Sequence, residues 1–526
     1  MTTSGAFRLT YATMYDPPED LHTRFEAAIS KVKANLGKQY PMFINGKDVY
    51  AAATFEDRSP INTDWLLGSF QEASAAEVAP AMAAAHAAAQ DWGRRPWQER
   101  VALVRKAADL ITERIFDIAA VVSIEVGKNR MEALGDVSEA ADFFYFACEQ
   151  MEANNGYIRP MGVDPLKGYK ATNTNRLRPY GVWVVISPFN FPFALTAGPA
   201  GTALVAGNTV VMKPAEDTPW ASRLLIEVFR DAGFPDGVVN YVTGDGAVAG
   251  QALVDDPRTA GLTFTGSYDV GMHIYRTFAN GRYPRPILLE MGGKNAVLVS
   301  RNADLERATQ GLYRSAFGLQ GQKCSAGSRI YVEEPVYDEL VEKLLTVTQS
   351  LKIGDPTLKE TFMGPVINES AYNNYKGWSE ELSQNGTILT GGRVLTEGEY
   401  GKGYFCEPTL VANVPTSHKL WKQEMFLPIT LLHKIKSLDE GMALANDVDF
   451  GLTAGFYGNS DESKWFFENI EAGVTYANRP QGASTGAWPG FQPFGGWKGS
   501  GSSGKGAGGH YYLPLYMHEQ TNTVIE

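Results

Sequence analysis

Gly181-Val182-Trp183-Val184-Val185-Ile186-Ser187-Pro188-Phe189-Asn190-Phe191-Pro192, followed by Thr209-Val210-Val211-Met212-Lys213, is the stretch on which the fold turns. Both runs are apolar at nearly every position and do not alternate with polar residues. That pattern belongs to strands buried on both faces, as in a parallel sheet covered by helices. The rhythm continues downstream: residues 222–232 read as a helix, 238–242 as a third strand and Leu262-Thr263-Phe264-Thr265 as a fourth. Strands alternating with helices imply βαβ units. Ligands of such sheets gather at the carboxyl ends of the strands, so the loops after these runs are where chemistry is expected.

Upstream, residues 1–40 form a preamble with helical spacing over 21–36, where Phe25, Ala28, Ile29, Val32 and Leu36 share one face. Met42-Phe43-Ile44-Asn45-Gly46-Lys47 reads as a hairpin turning at Asn45-Gly46. Residues 74–154 are mostly helical, with an alanine-rich helix over 81–89 that Pro80 would start. Helices over 101–115 and 138–152 follow, and Gly127-Lys128-Asn129 breaks the array. A second α/β unit spans 296–477, with strands over 295–299 and 329–332 and a helix over 336–351. A glycine-rich tail, 482–509, leads to an edge strand at Thr521-Asn522-Thr523-Val524-Ile525, which invites pairing with another subunit.

At 526 residues the chain exceeds one ordinary core, so two or three domains are expected. A hydrophobic content of 44% with 20% charged residues is ordinary for a globular enzyme. The net charge of −12, without a Lys/Arg run, argues against a nucleic-acid partner and against anionic membrane surfaces. Cys148, Cys324 and Cys406 are scattered, with no C-x-x-C, so neither a disulfide framework nor a metal site is indicated. The N-terminus lacks the charged and apolar regions of a secretory signal, and no apolar run approaches the ~20 residues of a membrane span. A cytoplasmic protein is expected.

Two loops carry candidate chemistry. Phe317-Gly318-Leu319-Gln320-Gly321-Gln322-Lys323-Cys324-Ser325-Ala326-Gly327 sets a cysteine among glycines and beside a lysine. Cysteine attacks as its thiolate, which backbone N–H groups and a nearby cation favour. Alone, Cys324 would read as a small buried hydrophobe. Ile287-Leu288-Leu289-Glu290-Met291-Gly292-Gly293 puts a carboxylate at the end of an apolar run. In apolar surroundings its pKa rises and it can act as a general base, whereas alone it would read as a solvated turn residue. After the first strand, Asn190 could donate to an oxyanion or simply sit in a Pro-flanked turn. Lys213-Pro214-Ala215-Glu216, Phe264-Thr265-Gly266-Ser267 and Glu424-Met425-Phe426-Leu427-Pro428 complete the set. Ser267 reads as a helix N-cap, where N–H groups also favour an anion.

Taken in chain order, these segments resemble the motifs of the aldehyde dehydrogenase superfamily, from about residue 40 to the C-terminus. The resemblance implies an α/β fold: a Rossmann-type cofactor domain, an α/β catalytic domain and a small β oligomerisation flap. Residues 1–155 and 178–290 would form the first, 291–480 the second, 156–177 and 510–526 the flap, and 481–509 a substrate-anchor loop. Cys324 would be the nucleophile, Glu290 the base, and Asn190 with the Cys324 N–H the oxyanion donors. Ser187, Pro188, Phe189, Lys213, Glu216, Gly246, Gly266, Ser267, Glu424 and Phe426 would bind the cofactor. An acidic Glu216 suits a free ribose 2′-hydroxyl and repels a 2′-phosphate, so NAD is expected ahead of NADP. The implied reaction oxidises an aldehyde to an acid through a Cys thioester that water cleaves, in a homo-oligomer without a metal. Leu427 departs from the glycine usual in its motif.

Arg314-Ser315-Ala316-Phe317, Cys324-Ser325-Ala326 and Gly486-Ala487, with Pro493-Phe494-Gly495-Gly496 after them, are similar to the 1-pyrroline-5-carboxylate dehydrogenase branch. That likeness implies substrate contacts from Glu139, Phe191, Ser325, Gly486, Ala487 and Phe494. It implies oxidation of L-glutamate γ-semialdehyde to L-glutamate, a step of proline catabolism. Trp488-Pro489 replaces a small aliphatic pair, at the expected pocket mouth, and 478–484 is longer than that branch's loop. An aromatic or less polar aldehyde is therefore the alternative substrate. From another class, the alternative is a non-catalytic scaffold with the same fold, against which intact Cys324, Glu290 and Asn190 weigh.

Overall fold

The computed structural model describes residues 17–165, 167–480 and 488–526. Among these residues two seven-stranded sheets dominate. In the first, Val182–Ile186 lies between Thr209–Lys213 and Thr259–Thr265, all parallel. Ile287–Glu290 extends this sheet on one side and Val239–Tyr241 on the other, again parallel. The hairpin Met42–Ile44 and Lys47–Val49 joins the far edge antiparallel. Its two turn residues, Asn45 and Gly46, both take positive φ, the twist that a two-residue hairpin turn needs.

The apolar runs follow from what covers the sheet. Trp183, Val185, Val210 and Met212 enter one core with helices Ala194–Ala206 and Pro219–Ala232. Val182, Val184 and Val211 enter another with Ala81, Met82 and Ala85 of helix Ala75–Arg94. Successive strand residues point to opposite faces, so helices on both faces require apolar residues at every position.

The second sheet runs in the order Thr387–Thr390, Thr409–Ala412, Ile429–Ile435, Gly327–Glu333, Asn295–Val299, Thr453–Tyr457, Val474–Ala477. Its strands are parallel except for the first. The strands flanking position 291, Ile287–Glu290 and Asn295–Val299, belong to different sheets. A third, antiparallel sheet places Ala171–Pro179 between Ile158–Pro160 and the C-terminal strand Met517–Ile525.

Helix boundaries differ from the sequence expectation at two informative places. Helix Ala75–Arg94 contains Pro80 in its interior and does not begin there. Its start is set by Ser74 and Glu77, which form a capping box. Helix Arg130–Ala153 likewise starts well before 138, capped by the Asn129 side chain accepting from the Glu132 N–H.

Candidate active site

The register of the first sheet lines up its carboxyl ends. Ile186 pairs with Lys213 and with Phe264, and Thr265 pairs with Glu290. Ser187, Lys213, Gly266 and Glu290 therefore stand in one row, where ligands of such sheets bind. The second sheet presents its opposite edge. Cys324 and Ser325 precede strand Gly327–Glu333, Glu424 and Phe426 precede Ile429–Ile435, and Leu452 precedes Thr453–Tyr457. Between the two edges lies a cavity of about 840 Å³.

Every described residue named from the sequence lines that cavity: Glu139, Ser187, Pro188, Phe189, Asn190, Phe191, Lys213, Glu216, Gly246, Gly266, Ser267, Glu290, Cys324, Ser325, Glu424, Phe426 and Phe494. Gly486 and Ala487 lie outside the described residues. Trp488 is not among the described lining residues; its N–H donates to the Gln492 carbonyl at 3.1 Å.

Cys324 is half-buried, and Asn295 fixes its loop by donating from Nδ2 to the carbonyls of Cys324 (2.7 Å) and Ala326 (2.8 Å). Asn190 Nδ2 donates to the Gln322 carbonyl at 3.1 Å, which leaves one amide hydrogen for a ligand in the cavity that Cys324 also lines. The electrostatics correct one expectation. Burial pushes the Cys324 thiol well up, the carboxyls of Glu424, Glu290 and Glu139 push it further, and only the Ser325 N–H acts the other way. The neighbouring Lys323 does not offset this, because its ammonium is bound to Glu132 Oε1 at 2.7 Å. Without a further positive charge the resting group is the thiol.

Glu290 behaves as its apolar run implies. Burial holds its carboxyl well above the usual range, opposed by the Gly496 N–H, and Oε2 is buried without a hydrogen-bond partner. Glu424 accepts the Gly293 N–H at 2.8 Å, and burial pushes its carboxyl up to about 7 against that bond and the charge of Lys294. Phe426 takes the left-handed turn, at φ 56°, and meets Phe189 edge-on with ring centroids 5.8 Å apart.

The remaining wall suits an adenine dinucleotide. Lys213 Nζ bonds Glu216 Oε1 at 3.0 Å, presenting an ammonium and a carboxylate to one ligand. Ser267 caps the twelve-residue helix Tyr268–Ala279, accepting the Val270 N–H at 3.4 Å, so that helix aims its N-terminus into the cavity. Leu195, Val254, His273 and Leu452 also line it and escaped the sequence reading. Three of these are plain aliphatic residues, which no motif distinguishes from core.

Comparison with known proteins agrees with this geometry. Residues 49–522 match the model of the aldehyde dehydrogenase family. The chain belongs to the aldehyde dehydrogenase family. A 1-pyrroline-5-carboxylate dehydrogenase of Geobacillus sp. (strain WCH70) is 39% identical over 508 residues, covering 95% of this chain and 96% of the relative. The 1-pyrroline-5-carboxylate dehydrogenase 1 of Halalkalibacterium halodurans is also 39% identical over 508 residues, with the same coverage. Among solved structures, 1-pyrroline-5-carboxylate dehydrogenase from Thermus with bound NAD superposes with a TM-score of 0.92 at 33% identity, covering 100% of each chain. This aldehyde dehydrogenase is therefore an oxidoreductase. Among its described residues, no helix is long and apolar enough to cross a membrane.

Proposed function

We propose that this aldehyde dehydrogenase oxidises L-glutamate γ-semialdehyde to L-glutamate with NAD as hydride acceptor. The carrying observation is the convergence of Cys324, Glu290, Asn190 and Ser325 on one cavity. The names of relatives near 39% identity along almost the whole chain favour the substrate. The lining residues Lys213, Glu216, Gly266, Ser267, Glu424 and Phe426 would hold NAD, which supplies the hydride acceptor when bound.

The chain's own groups divide the work. Cys324 Sγ, once deprotonated, attacks the aldehyde carbon and forms a covalent hemithioacetal. The free amide hydrogen of Asn190 and the Cys324 backbone N–H hold the oxyanion. Loss of hydride leaves a thioester on Sγ. Glu290 takes a proton from water as the water attacks that thioester, releasing the acid and restoring the thiol. A carboxyl held in apolar surroundings is a stronger base than one in water. Ser325 would meet the substrate's α-carboxylate, and Glu139, from helix Arg130–Ala153, would orient the substrate and the nucleophile loop.

We further infer a homo-oligomer joined through the antiparallel sheet of Ile158–Pro160, Ala171–Pro179 and Met517–Ile525, working in the cytoplasm. The test is NADH formation with glutamate γ-semialdehyde beside simple aliphatic and aromatic aldehydes. The glutamate compound should give the highest kcat/KM, and Cys324→Ala should lower turnover at least about 10³-fold. A preference for aromatic aldehydes would move the substrate assignment. No NADH from any aldehyde would favour the scaffold reading.

A further inference from the structure

Phe191, in the wall of the cavity, sits near two buried cations. Lys128 Nζ lies 3.6 Å from its ring centroid and Lys323 Nζ 6.0 Å. Each cation has its own carboxylate: Asp136 Oδ2 is 2.9 Å from Lys128 Nζ, and Glu132 Oε1 is 2.7 Å from Lys323 Nζ. Both carboxylates stand on helix Arg130–Ala153, and so does Glu139, which reaches the cavity. Their spacing of four and then three residues puts all three on one face of that helix.

The Lys128–Asp136 pair is wholly shielded from solvent, and neither residue touches the cavity. Asp136 uses its second oxygen to accept the Ala194 N–H at 2.7 Å. The loop from Asn190 to Ala194 is thus held at three points. Gln322 takes the Asn190 amide, Lys128 faces the Phe191 ring, and Asp136 takes the Ala194 N–H. A buried ion pair is a weak source of stability, because desolvation offsets the attraction. Its directional contacts, by contrast, fix where a loop sits, and a cation over a ring face adds a further constraint.

We propose that Lys128 and Asp136 are positioning residues for the oxyanion loop, setting Phe191 and Ala194 so that the Asn190 amide meets the reacting carbonyl. The proposal rests on Asn190 being the oxyanion donor, and the experiment separates the two. Lys128→Met/Asp136→Asn removes both charges together while keeping an oxygen for the Ala194 N–H. In the otherwise native enzyme it should lower kcat by about 10–100-fold. NAD affinity and the rate of Cys324 alkylation by iodoacetamide should stay within about twofold, since neither reads the Asn190 position. In an Asn190→Ala background the same double change should lower kcat by less than about twofold, because the two effects share one route. Lys128→Met/Asp136→Leu, an apolar replacement of the kind buried pairs often tolerate, should show the same dependence on background. An equal loss of kcat in both backgrounds, or no loss with Asn190 present, would overturn the proposal. If Asn190→Ala alone left kcat unchanged, the oxyanion assignment itself would fall, and the positioning role with it.

Discussion

At the scale of single residues the site works by placing ionisable groups where water does not reach. Glu290 holds a proton that an unfolded chain would release, since burial raises its carboxyl well above the usual range. The folded state therefore binds more protons than the unfolded one between those two pKa values. Stability is lost as pH rises through that window, and is unaffected below the ordinary carboxylate pKa. Glu290→Gln removes the penalty, so the variant should melt about 1–3 °C higher at neutral pH and equal the parent in acid, as read by calorimetry. The same change should stall the thioester, visible as an acyl mass shift on intact protein after mixing with aldehyde and NAD. Hydrolysis by the parent should accelerate with pH above the ordinary carboxylate range, because only ionised Glu290 is a base. In single-turnover experiments Glu290→Gln should flatten that rise, and an equally steep rise would remove Glu290 from the role. Greater stability with lost turnover is the expected signature of a strained catalytic carboxyl.

At the scale of elements, two loops from the second sheet lean on each other. Leu319, Gln320 and Gly321 all take positive φ just before the nucleophile, at 49°, 55° and 66°. Gly321 cannot carry a side chain: a Cβ there would stand 2.3 Å from the Leu427 carbonyl oxygen. The nucleophile loop is therefore keyed to the loop bearing Glu424 and Phe426. Gly321→Ala should cost about 1–3 kcal/mol of stability, through both the left-handed backbone and the clash. It should also lower kcat by about 10²-fold, since small displacements of a reacting group are expensive. Denaturant melts and steady-state kinetics check the two parts, and an intact kcat would show that the loops are not coupled. Elements were legible where local chemistry defines them. The hairpin at Asn45-Gly46 and the doubly buried strands are examples, because turn chemistry and apolar runs are written in adjacent residues. The start of helix Ala75–Arg94 was misplaced because Pro80 is the stronger local signal, while the capping pair Ser74 and Glu77 set the boundary.

At the scale of the whole molecule, function follows from two sheets facing each other by opposite edges, carboxyl ends on one side and amino ends on the other. The C-terminal strand Met517–Ile525 pairs with Ala171–Pro179 along its full nine residues, in a register from Met517–Pro179 to Ile525–Ala171. Its other edge has no strand partner among the described residues. Such an edge, with Val524 and Ile525 exposed, is ready to join another chain. Deleting residues 517–526 should shift the enzyme to a smaller species in size-exclusion chromatography with light scattering. An unchanged mass would remove this strand from any subunit contact.

The amino-acid sequence by itself determined which chemical groups the site has and the order in which the chain supplies them. Cys324, Glu290, Asn190, Lys213 and Glu216 stand at or near the ends of apolar runs, and it is their resemblance, taken together in chain order, to the aldehyde dehydrogenase motifs that made them readable. Only the tertiary structure decided their electrostatic state. It raised the Cys324 thiol by burial among carboxyls, bound Lys323 to Glu132, and placed the Lys128–Asp136 pair behind Phe191. It also put Phe426 in the left-handed region. The reason is one of range: backbone preference and side-chain type act over a few neighbouring residues. Burial and charge pairing depend on groups far away in sequence, brought together only when the sheets and helices pack.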